Sequence, residues 1–480
     1  MRSSLLSASI HVLDDDSLLN VFYLYRPFLL GEDDDNEGFV LIGGSKGWYR
    51  GRWWYKLAHV CRRWRNVVLG SAAYLGVSLV CTNGTPVADV LAHSPSLPLI
   101  IEYFLDEDND LTAEDEEGAI LALKQYDRVH RVRLKMPPSS LQKLIVTMDK
   151  EYPILEYLII AHRDEDESAV LTFPETLQAP HLRHLALIGF ALPIASRLLT
   201  TAVCLVTLFV AMVHPSTYFY PNTLLQWLSF MPHLETIVID FYFPHRSRHV
   251  GGQFTRTAIT TPVTLPNLRR IRFYGVTAYL EALLFRLSAP RLENLQIVFF
   301  NQLMFSVPRL LHFVDTTENL RFKTARFYFS DENVDVEVYP HEEAKMYALS
   351  IIVNCCHLDW QVSSVAQIFS VLSPVFSSVE HLTFEHRKHS RSSEEHNEVY
   401  RSEWLKLLHS FRNVKTLRIA TGLVEDLSRC LQPDEGELSL ELLSELQELT
   451  YPGRRNTGDV FTSFINARQN AGRPITVVRL

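Results

Sequence analysis

One apolar pattern recurs from residue 129 to the end of the chain, and it constrains the fold more than any other feature. A large apolar residue is followed by two free positions, a second apolar residue, one free position and a third apolar residue. Successive copies lie 23 to 35 residues apart. The complete copies are Val129-Val132-Leu134, Leu155-Leu158-Ile160, Leu182-Leu185-Leu187, Leu205-Leu208-Val210, Leu234-Ile237-Ile239, Leu268-Ile271-Phe273, Leu292-Leu295-Ile297, Phe322-Ala325-Phe327, Val379-Leu382-Phe384, Val414-Leu417-Ile419 and Leu446-Leu449-Tyr451. A degenerate copy has Leu349 and Ile352, with Asn354 in the third place.

The stretches between the copies have helical periodicity, for example at 224–230, 278–287, 362–372 and 404–411. Strand, helix and strand at this spacing require parallel strands joined by crossovers. The spacing brackets the period of leucine-rich repeats and predicts an α/β solenoid with a curved parallel sheet. An ordinary α/β domain is the alternative, since its strands are also apolar. The shared register of the copies favours the solenoid, and the lack of a fixed Asn after the third apolar residue predicts irregular turns.

The position after the first apolar residue of each copy carries a row of charges. In chain order the row reads His130, Glu156, Arg183, Val206, Glu235, Arg269, Glu293, Lys323, Ser350, Glu380, Lys415 and Gln447. Its charged members alternate in sign. If the strands stack in register, neighbours in this row stand about 4.8 Å apart and opposite charges attract.

The start of the chain has a different organisation, with two short amphipathic segments. The first runs from Leu13 to Tyr25, where Asp14 has the position of an N-cap. Leu13 and Leu18 have the spacing of a hydrophobic staple around it. The pattern predicts a helix that ends before Pro27.

The second segment runs from Trp53 to Leu69 and is rich in Trp and Arg. Its apolar residues recur at steps of three and four, which predicts one continuous helix. Gly70 has the position of a left-handed C-terminal cap. The stripe consists of Trp54, Leu57, Val60, Cys61, Trp64 and Val68.

These two segments resemble an F-box, the helical module that joins a substrate receptor to a Skp-cullin-F-box (SCF) ubiquitin ligase. The matching residues are Ile10, Leu13, Leu18, Leu19 and Phe22, then Trp54, Leu57, Val60, Cys61, Arg62, Trp64, Arg65 and Val68. The chain departs from the F-box pattern in two ways: Asp14 replaces the usual Pro, and residues 31–52 form an insertion. The whole chain is similar to the F-box-like families of mushroom-forming fungi, in which degenerate leucine-rich repeats follow the F-box.

The resemblance implies two domains, an F-box-like module at 8–70 and an irregular leucine-rich-repeat-like solenoid at 71–480. It implies that the module binds a Skp-type adaptor, and through it a cullin, while the solenoid holds an unknown target protein. The implied docking residues are Leu13, Leu18, Leu19, Phe22, Trp54, Leu57, Val60, Cys61 and Trp64. The alternative is an interaction scaffold in which the helices only cap the solenoid.

Composition limits the remaining classes of protein. The net charge of −9 argues against a nucleic-acid-binding protein. The six cysteines lack paired zinc spacing and indicate reduced thiols, in the cytoplasm or nucleus. The longest uncharged run, residues 198–213, is shorter than the ~20 residues that span a bilayer and is better explained as a helix plus a strand.

Three short motifs resemble catalytic or metal sites, and we interpret none of them as one. Residues 43–47 read G-x-S-x-G, but a nucleophile elbow needs a helix after it. His381, Glu385 and His386 do not have the spacing of a zinc protease. The Cys-Cys-His run at 355–357 places adjacent cysteines on opposite sides of a strand, which indicates buried thiols. We therefore expect no catalytic residues, metal or cofactor.

Overall fold

The computed structural model describes residues 13–26, 52–104, 111–162, 171–213, 217–241, 262–387, 401–432, 442–452 and 460–479. The chain divides into two compact units, Met1–Val210 and Ala211–Leu480. The insertion expected at 31–52 and the G-x-S-x-G motif lie outside the described residues, except for Arg52. The domain boundary that we place at residue 70 stays a prediction.

The first unit contains eight described helices and begins with four of them before any strand. Its helices are α1 (Asp15–Tyr25), α2 (Trp53–Ala58), α3 (Arg62–Gly70), α4 (Ala72–Leu75), α5 (Val87–His93), α6 (Ala113–Leu123), α7 (Pro138–Thr147) and α8 (Arg197–Thr201). Its strands are β1 (Leu79–Thr82), β2 (Leu99–Phe104), β3 (Val129–Met136), β4 (Tyr157–His162), β5 (Leu171–Thr172), β6 (His184–Ile188) and β7 (Phe190–Ala191), and β8 (Thr207–Val213) crosses the unit boundary. The uncharged run at 198–213 is therefore a helix plus a strand, as predicted.

The second unit alternates strands with helices. Its strands are β9 (Thr236–Phe241), β10 (Val263–Thr264), β11 (Arg270–Gly275), β12 (Leu287–Ser288), β13 (Asn294–Phe299), β14 (Thr324–Ser330), β15 (Asn333–Tyr339), β16 (Leu349–Asn354), β17 (His381–Arg387), β18 (Thr416–Ile419), β19 (Glu448–Tyr451) and β20 (Thr476–Arg479). Its helices are α9 (Pro221–Leu228), α10 (Thr277–Leu284), α11 (Pro308–Asp315), α12 (Leu358–Phe376), α13 (Arg401–His409), α14 (Val424–Leu431) and α15 (Thr462–Asn470), with a 3₁₀ turn at Thr421–Leu423.

Sixteen of the strands belong to one large sheet, in which most pairings are parallel. The order in the first unit is β1-β2-β3-β4-β6-β8, and the order in the second is β9-β11-β13-β16-β15-β14-β17-β18-β19-β20. The protein is thus of mixed α/β class, as the alternation of apolar strands and helical stretches predicts.

The repeated apolar residues stand in register on neighbouring strands. Leu158 pairs with Leu185, Ile271 with Leu295, and Leu417 with Leu449. All six side chains are buried. In a strand, successive side chains point to opposite faces, so the second and third apolar residues of each copy reach the same face. Their burial beneath the crossover helices is the main stabilising contribution, about 25 cal/mol per Å² of apolar surface removed from water.

Strand β15 departs from the predicted all-parallel sheet. It runs antiparallel to both β14 and β16, because the chain reverses at a turn closed by the Ser330 hydroxyl, which accepts from Asn333 N–H at 3.1 Å. Consequently β13 pairs with β16 rather than with β14. The register predicted for the degenerate copy is also wrong, because the buried apolar residues of β16 are Leu349, Ile351 and Val353.

The predicted charge row exists in the structure in part, and it is interrupted where β16 and β15 enter the sheet. His130 pairs with Glu156 at 3.3 Å and Arg269 with Glu293 at 3.1 Å. Glu380 lies between Lys323 and Lys415, and Lys415 Nζ is 2.7 Å from its carboxylate. These two hydrogen-bonded lysines lower the pKa of Glu380 to about 2. Glu293 and Lys323 are not neighbours as predicted, because β16 and β15 lie between their strands. The place predicted for Ser350 between Lys323 and Glu380 is also wrong, because Ser350 pairs with Gln296 and Glu337.

Two local predictions about glycine and the first strand are also corrected. Gly70 ends α3 in a helical conformation, and the left-handed cap is Gly76, at φ 63° after the short helix α4. The alternation from Leu75 to Val80 predicts one strand, whereas β1 begins at Leu79. Gly76 separates the two elements because a left-handed residue can continue neither a helix nor a strand.

Candidate functional site

Helix α1 begins where the sequence places it. The Asp14 carboxylate accepts a hydrogen bond from the backbone N–H of Ser17 at 2.7 Å. That bond lowers the pKa of Asp14. Arg63 then joins α1 to α3, because its Nε donates to Asp15 Oδ1 at 2.9 Å and its Nη2 donates to the carbonyl of Leu13.

The second segment is two helices rather than the single predicted one. Helix α2 ends at Ala58, and Cys61 has an extended conformation, with φ −159°, that starts α3. The Cys61 thiol serves as the N-cap by accepting from Trp64 N–H at 3.5 Å. Arg65 Nε donates to the carbonyl of Ala58 and so closes the corner at 3.0 Å. The apolar stripe is nearly unchanged by this break, which is why periodicity alone does not reveal it.

Four of the predicted docking residues form the core of this helical module. Leu18, Phe22, Trp54 and Leu57 are all buried. The Phe22 ring packs edge-on against Trp64, with centroids 4.8 Å apart. These side chains therefore shape the module and hold its helices together, rather than contact the surrounding solvent.

The other predicted docking residues are at least partly accessible. Leu13 and Val60 are exposed, and Leu19, Cys61 and Trp64 are half-buried. The sequence interpretation missed a further exposed group on α1, which we call the outer face: Val21, Leu24 and Tyr25. Their i, i+3 and i+4 spacing was readable from the sequence, but two apolar stripes on one short helix do not indicate which of them faces the core.

An open groove of about 520 Å³ runs between α1 and α3. Leu19 and Val67 supply its apolar part. Asp15, Asp16, Arg62 and Arg63 supply charges of both signs. The module thus presents two distinct surfaces on either side of α1, the groove and the outer face.

In the second unit, the side chains between the repeated apolar residues lie on the opposite side of the sheet, which we call the sheet face. One row on this face consists of residues that pair across seven neighbouring strands: Arg272, Gln296, Ser350, Glu337, Arg326, Thr383 and Arg418. The adjacent row is Asp240, Tyr274, Val298, Ile352, Asp335, Tyr328 and Glu385. One row is therefore rich in arginine and the next in carboxylates and tyrosines.

Charged and aromatic groups on this sheet face contact one another. The Arg326 guanidinium lies 4.7 Å from the centre of the Tyr339 ring, and the Tyr339 hydroxyl donates to Glu337 at 2.6 Å. Burial raises the pKa of Asp240 to about 7, and the nearby Arg272 opposes this only in part. Tyrosine and arginine are, with tryptophan, enriched among the residues that contribute most binding energy at protein interfaces.

The sheet face of the first unit has its own polar row. Arg131 stacks on Tyr157 at 4.3 Å, and Tyr157 stacks on His184 at 4.4 Å. Burial lowers the pKa of His184 to about 4, so this imidazole is neutral at pH 7. Beside them, the buried Arg133 pairs with Glu102 at 3.2 Å.

The metal-like motifs occupy structural positions. His381 Nδ1 lies 2.8 Å from the Thr416 hydroxyl on the neighbouring strand, and the His386 ring packs against Gly422. Both cysteines follow the end of β16 at Asn354, so the predicted strand position is wrong. Cys355 is buried as expected but Cys356 is exposed, and burial raises the pKa of the Cys355 thiol to about 12. Within the described ranges, no group of three His, Cys, Asp or Glu side chains is placed to hold a metal ion.

Among the described helices, none has the length and apolar character needed to cross a bilayer. A scan against protein-family models finds no match, and a search of curated proteins finds none that is significant.

Proposed function

We propose that this chain is the substrate-recognition subunit of an SCF-type ubiquitin ligase and is not itself an enzyme. In this proposal the N-terminal module binds a Skp-type adaptor, and through it a cullin, in the cytoplasm or nucleus. An irregular, leucine-rich-repeat-like solenoid with a curved sheet holds the target protein. Neither nucleic acid nor a membrane takes part.

The main support for the proposal is a small helical module that has its own core and exposes large apolar side chains on its outside. Leu24 is 73% exposed, and Val21 and Tyr25 are also exposed on the same face of α1. Exposed apolar groups that are clustered on one element, and rimmed by polar residues, mark protein interaction sites. The F-box resemblance supplies the class of partner.

The in-register repeats support the second half of the proposal. Most parallel strands of the second unit follow one another in chain order. Right-handed crossovers between such strands lie on one side of the sheet, and the arginine and tyrosine rows described above lie on the other. A receptor of this kind makes no bonds itself. It accelerates ubiquitin transfer by proximity, since binding raises the local concentration of a target lysine beside the ubiquitin carrier.

One observation favours the alternative scaffold function. Trp54 Nε1 donates to the carbonyl of Ser78, just before β1, at 3.0 Å, and Arg52 donates to Thr85 at 3.2 Å. The helices are thus joined to the first strand of the sheet, as a terminal cap would be. The scaffold function needs no adaptor, so adaptor capture separates the two.

The test is co-expression of the full chain with a fungal Skp adaptor, followed by affinity capture. We expect the wild-type chain to capture the adaptor and Leu24→Asp to reduce capture by about tenfold or more, as for an interface hot spot. Leu19→Asp tests the groove in the same way. Val146→Asp, at an exposed position of α7, is the control and should capture normally. If the wild-type chain never captures the adaptor, the ligase function is refuted and the scaffold function is favoured.

A further inference from the structure

The second unit exposes a group of large apolar side chains at one edge of its sheet. Leu303 and Met304 are 95% and 78% exposed, more than any other large apolar side chain in the described ranges. Trp360, at the beginning of α12, is 52% exposed. We call these three residues the edge patch.

Hydrogen bonds bring the two chain segments of the edge patch together. Strands β13 and β16 are parallel neighbours, so the loop of Leu303 and the start of α12 leave the sheet at the same edge. Phe305 N–H donates to Gln367 Oε1 at 3.1 Å. Gln367 is seven residues after Trp360, about two helical turns, and therefore lies on the same side of α12. The loop and Trp360 thus share that side of the helix.

The loop is held at its other end as well. Gln302 Oε1 accepts from the N–H and the hydroxyl of Thr277, at 3.2 and 2.9 Å, at the beginning of α10. With Gln302 and Phe305 both anchored, the side chains of Leu303 and Met304 between them are presented outward. The edge patch is therefore supported by fixed neighbours on both sides.

Acidic residues border the edge patch. Gln361 donates to the carbonyls of Ser330 and Cys355, each at 2.7 Å, which places the first turn of α12 beside the turn between β14 and β15. That turn carries the exposed Asp331 and Glu332. Asp359 is the third acid, and its buried Oδ1 receives no hydrogen bond from a residue of the described ranges. We call these three acids the acidic rim.

We propose that the edge patch and the acidic rim form a docking surface for a basic amphipathic segment of another protein. Exposed Leu, Met and Trp provide apolar anchoring, and the unbranched Met side chain adapts to varied apolar partners. The rim selects lysine and arginine over acidic flanks, because like charges across an interface are strongly disfavoured. The same argument disfavours a second copy of this chain, whose net charge is −9, and an anionic lipid surface.

This surface lies outside the N-terminal module and does not rest on adaptor binding. Its occupancy would give the protein a second partner besides any target held on the sheet face. Because Leu303 and Met304 are almost fully exposed, substituting them removes the surface without removing core packing.

The test uses the full chain and three fluorescent helical peptides of about 14 residues, or four turns. One peptide has a leucine face and a lysine face, the second has glutamate in place of lysine, and the third has serine in place of leucine. Fluorescence anisotropy at low salt measures binding. The protein variants are Leu303→Ser/Met304→Ser for the patch, Asp331→Asn/Glu332→Gln for the rim, and Val146→Ser in the first unit as the control.

We expect the leucine–lysine peptide to bind about tenfold or more tightly than the other two. Each double variant should weaken that binding by a similar factor, and Val146→Ser should leave it unchanged. Equal binding by the lysine and glutamate peptides, or binding that survives Leu303→Ser/Met304→Ser, would overturn the proposal. The proposal would also be overturned if the chain self-associates or binds anionic vesicles and the same double variant abolishes that behaviour. Either result would identify a different occupant of the surface.

Discussion

Reversing the charge of Arg269 should destabilise the second unit in a manner that depends on salt. Arg269 Nη1 lies 3.1 Å from Glu293, and the backbone N–H of Arg269 donates to the carbonyl of Glu235 on the other side at 2.8 Å. Arg269→Glu replaces an attraction with repulsion at Glu293 and adds a third acid in series. In water, two charges 5 Å apart interact by about 0.8 kcal/mol.

The magnitude is limited by exposure, because the Arg269 and Glu293 side chains are 53% and 55% accessible and are free to move apart. Exposed pairs contribute about 0.2–1 kcal/mol each. Loss of one pair and gain of two repulsive contacts should therefore lower the free energy of unfolding by about 1–2 kcal/mol at low salt. For a unit of this size, the melting temperature should fall by about 2–5 °C.

The assay is thermal unfolding at about 10 mM and about 1 M NaCl, where the screening length falls from about 30 Å to about 3 Å. High salt should remove most of the loss. Arg418→Glu is the matched control, because Arg418 is exposed on β18 and faces Thr383 and Thr450 instead of charged residues. Equal losses at both positions, independent of salt, would refute the electrostatic reasoning for the charge row.

Two further predictions concern stability. Gly189→Ala should lower the free energy of unfolding in urea by about 2–4 kcal/mol, because Gly189 has φ 79° and a Cβ there would meet the His162 ring at 1.8 Å. The control Gly472→Ala, with φ 72° and open space around it, should lower it by only about 1–2 kcal/mol. Equal losses would mean that the His162 ring moves aside freely. Since the folded-state pKa of Glu380 is lowered from 4.5 to about 2, its stabilising contribution is present above pH 4.5 and is lost as the pH falls through 2. The melting-temperature difference between wild type and Glu380→Gln should therefore shrink across that range, and a constant difference would contradict the role of its two lysine partners.

The repeat copies are predictable because a strand's side chains alternate with a period of two. Once an apolar pair such as Leu417 and Ile419 must face the core, the residues around it have no freedom of register. The same local rule predicts Lys415 beside Glu380, where the two side chains form an ion pair. The N-cap at Asp14 is equally local, since its carboxylate needs only the amide three residues later.

The errors arise where a local pattern fits more than one arrangement of the chain. The alternation of Val334, Val336 and Val338 indicates a strand but not its direction, which the turn after Ser330 decides. Leu18 and Leu24 on α1 are both apolar, and only packing against α3 buries the first and leaves the second exposed.

The sequence by itself thus determined the α/β class, the positions of most strands, the charge pairs on neighbouring parallel strands and the start of α1. Each of these depends on contacts within a few residues or on a strict periodicity. The tertiary structure alone decided the pairing of β15 with β16, the corner at Cys61 and the contact of the Leu303 loop with α12. The last of these depends on the hydrogen bond from Phe305 to Gln367, between residues far apart in the chain, for which the sequence carries no local signal. The corner at Cys61 is closed by nearby residues, Arg65 and Ala58, but the apolar stripe continues across it and so does not reveal it.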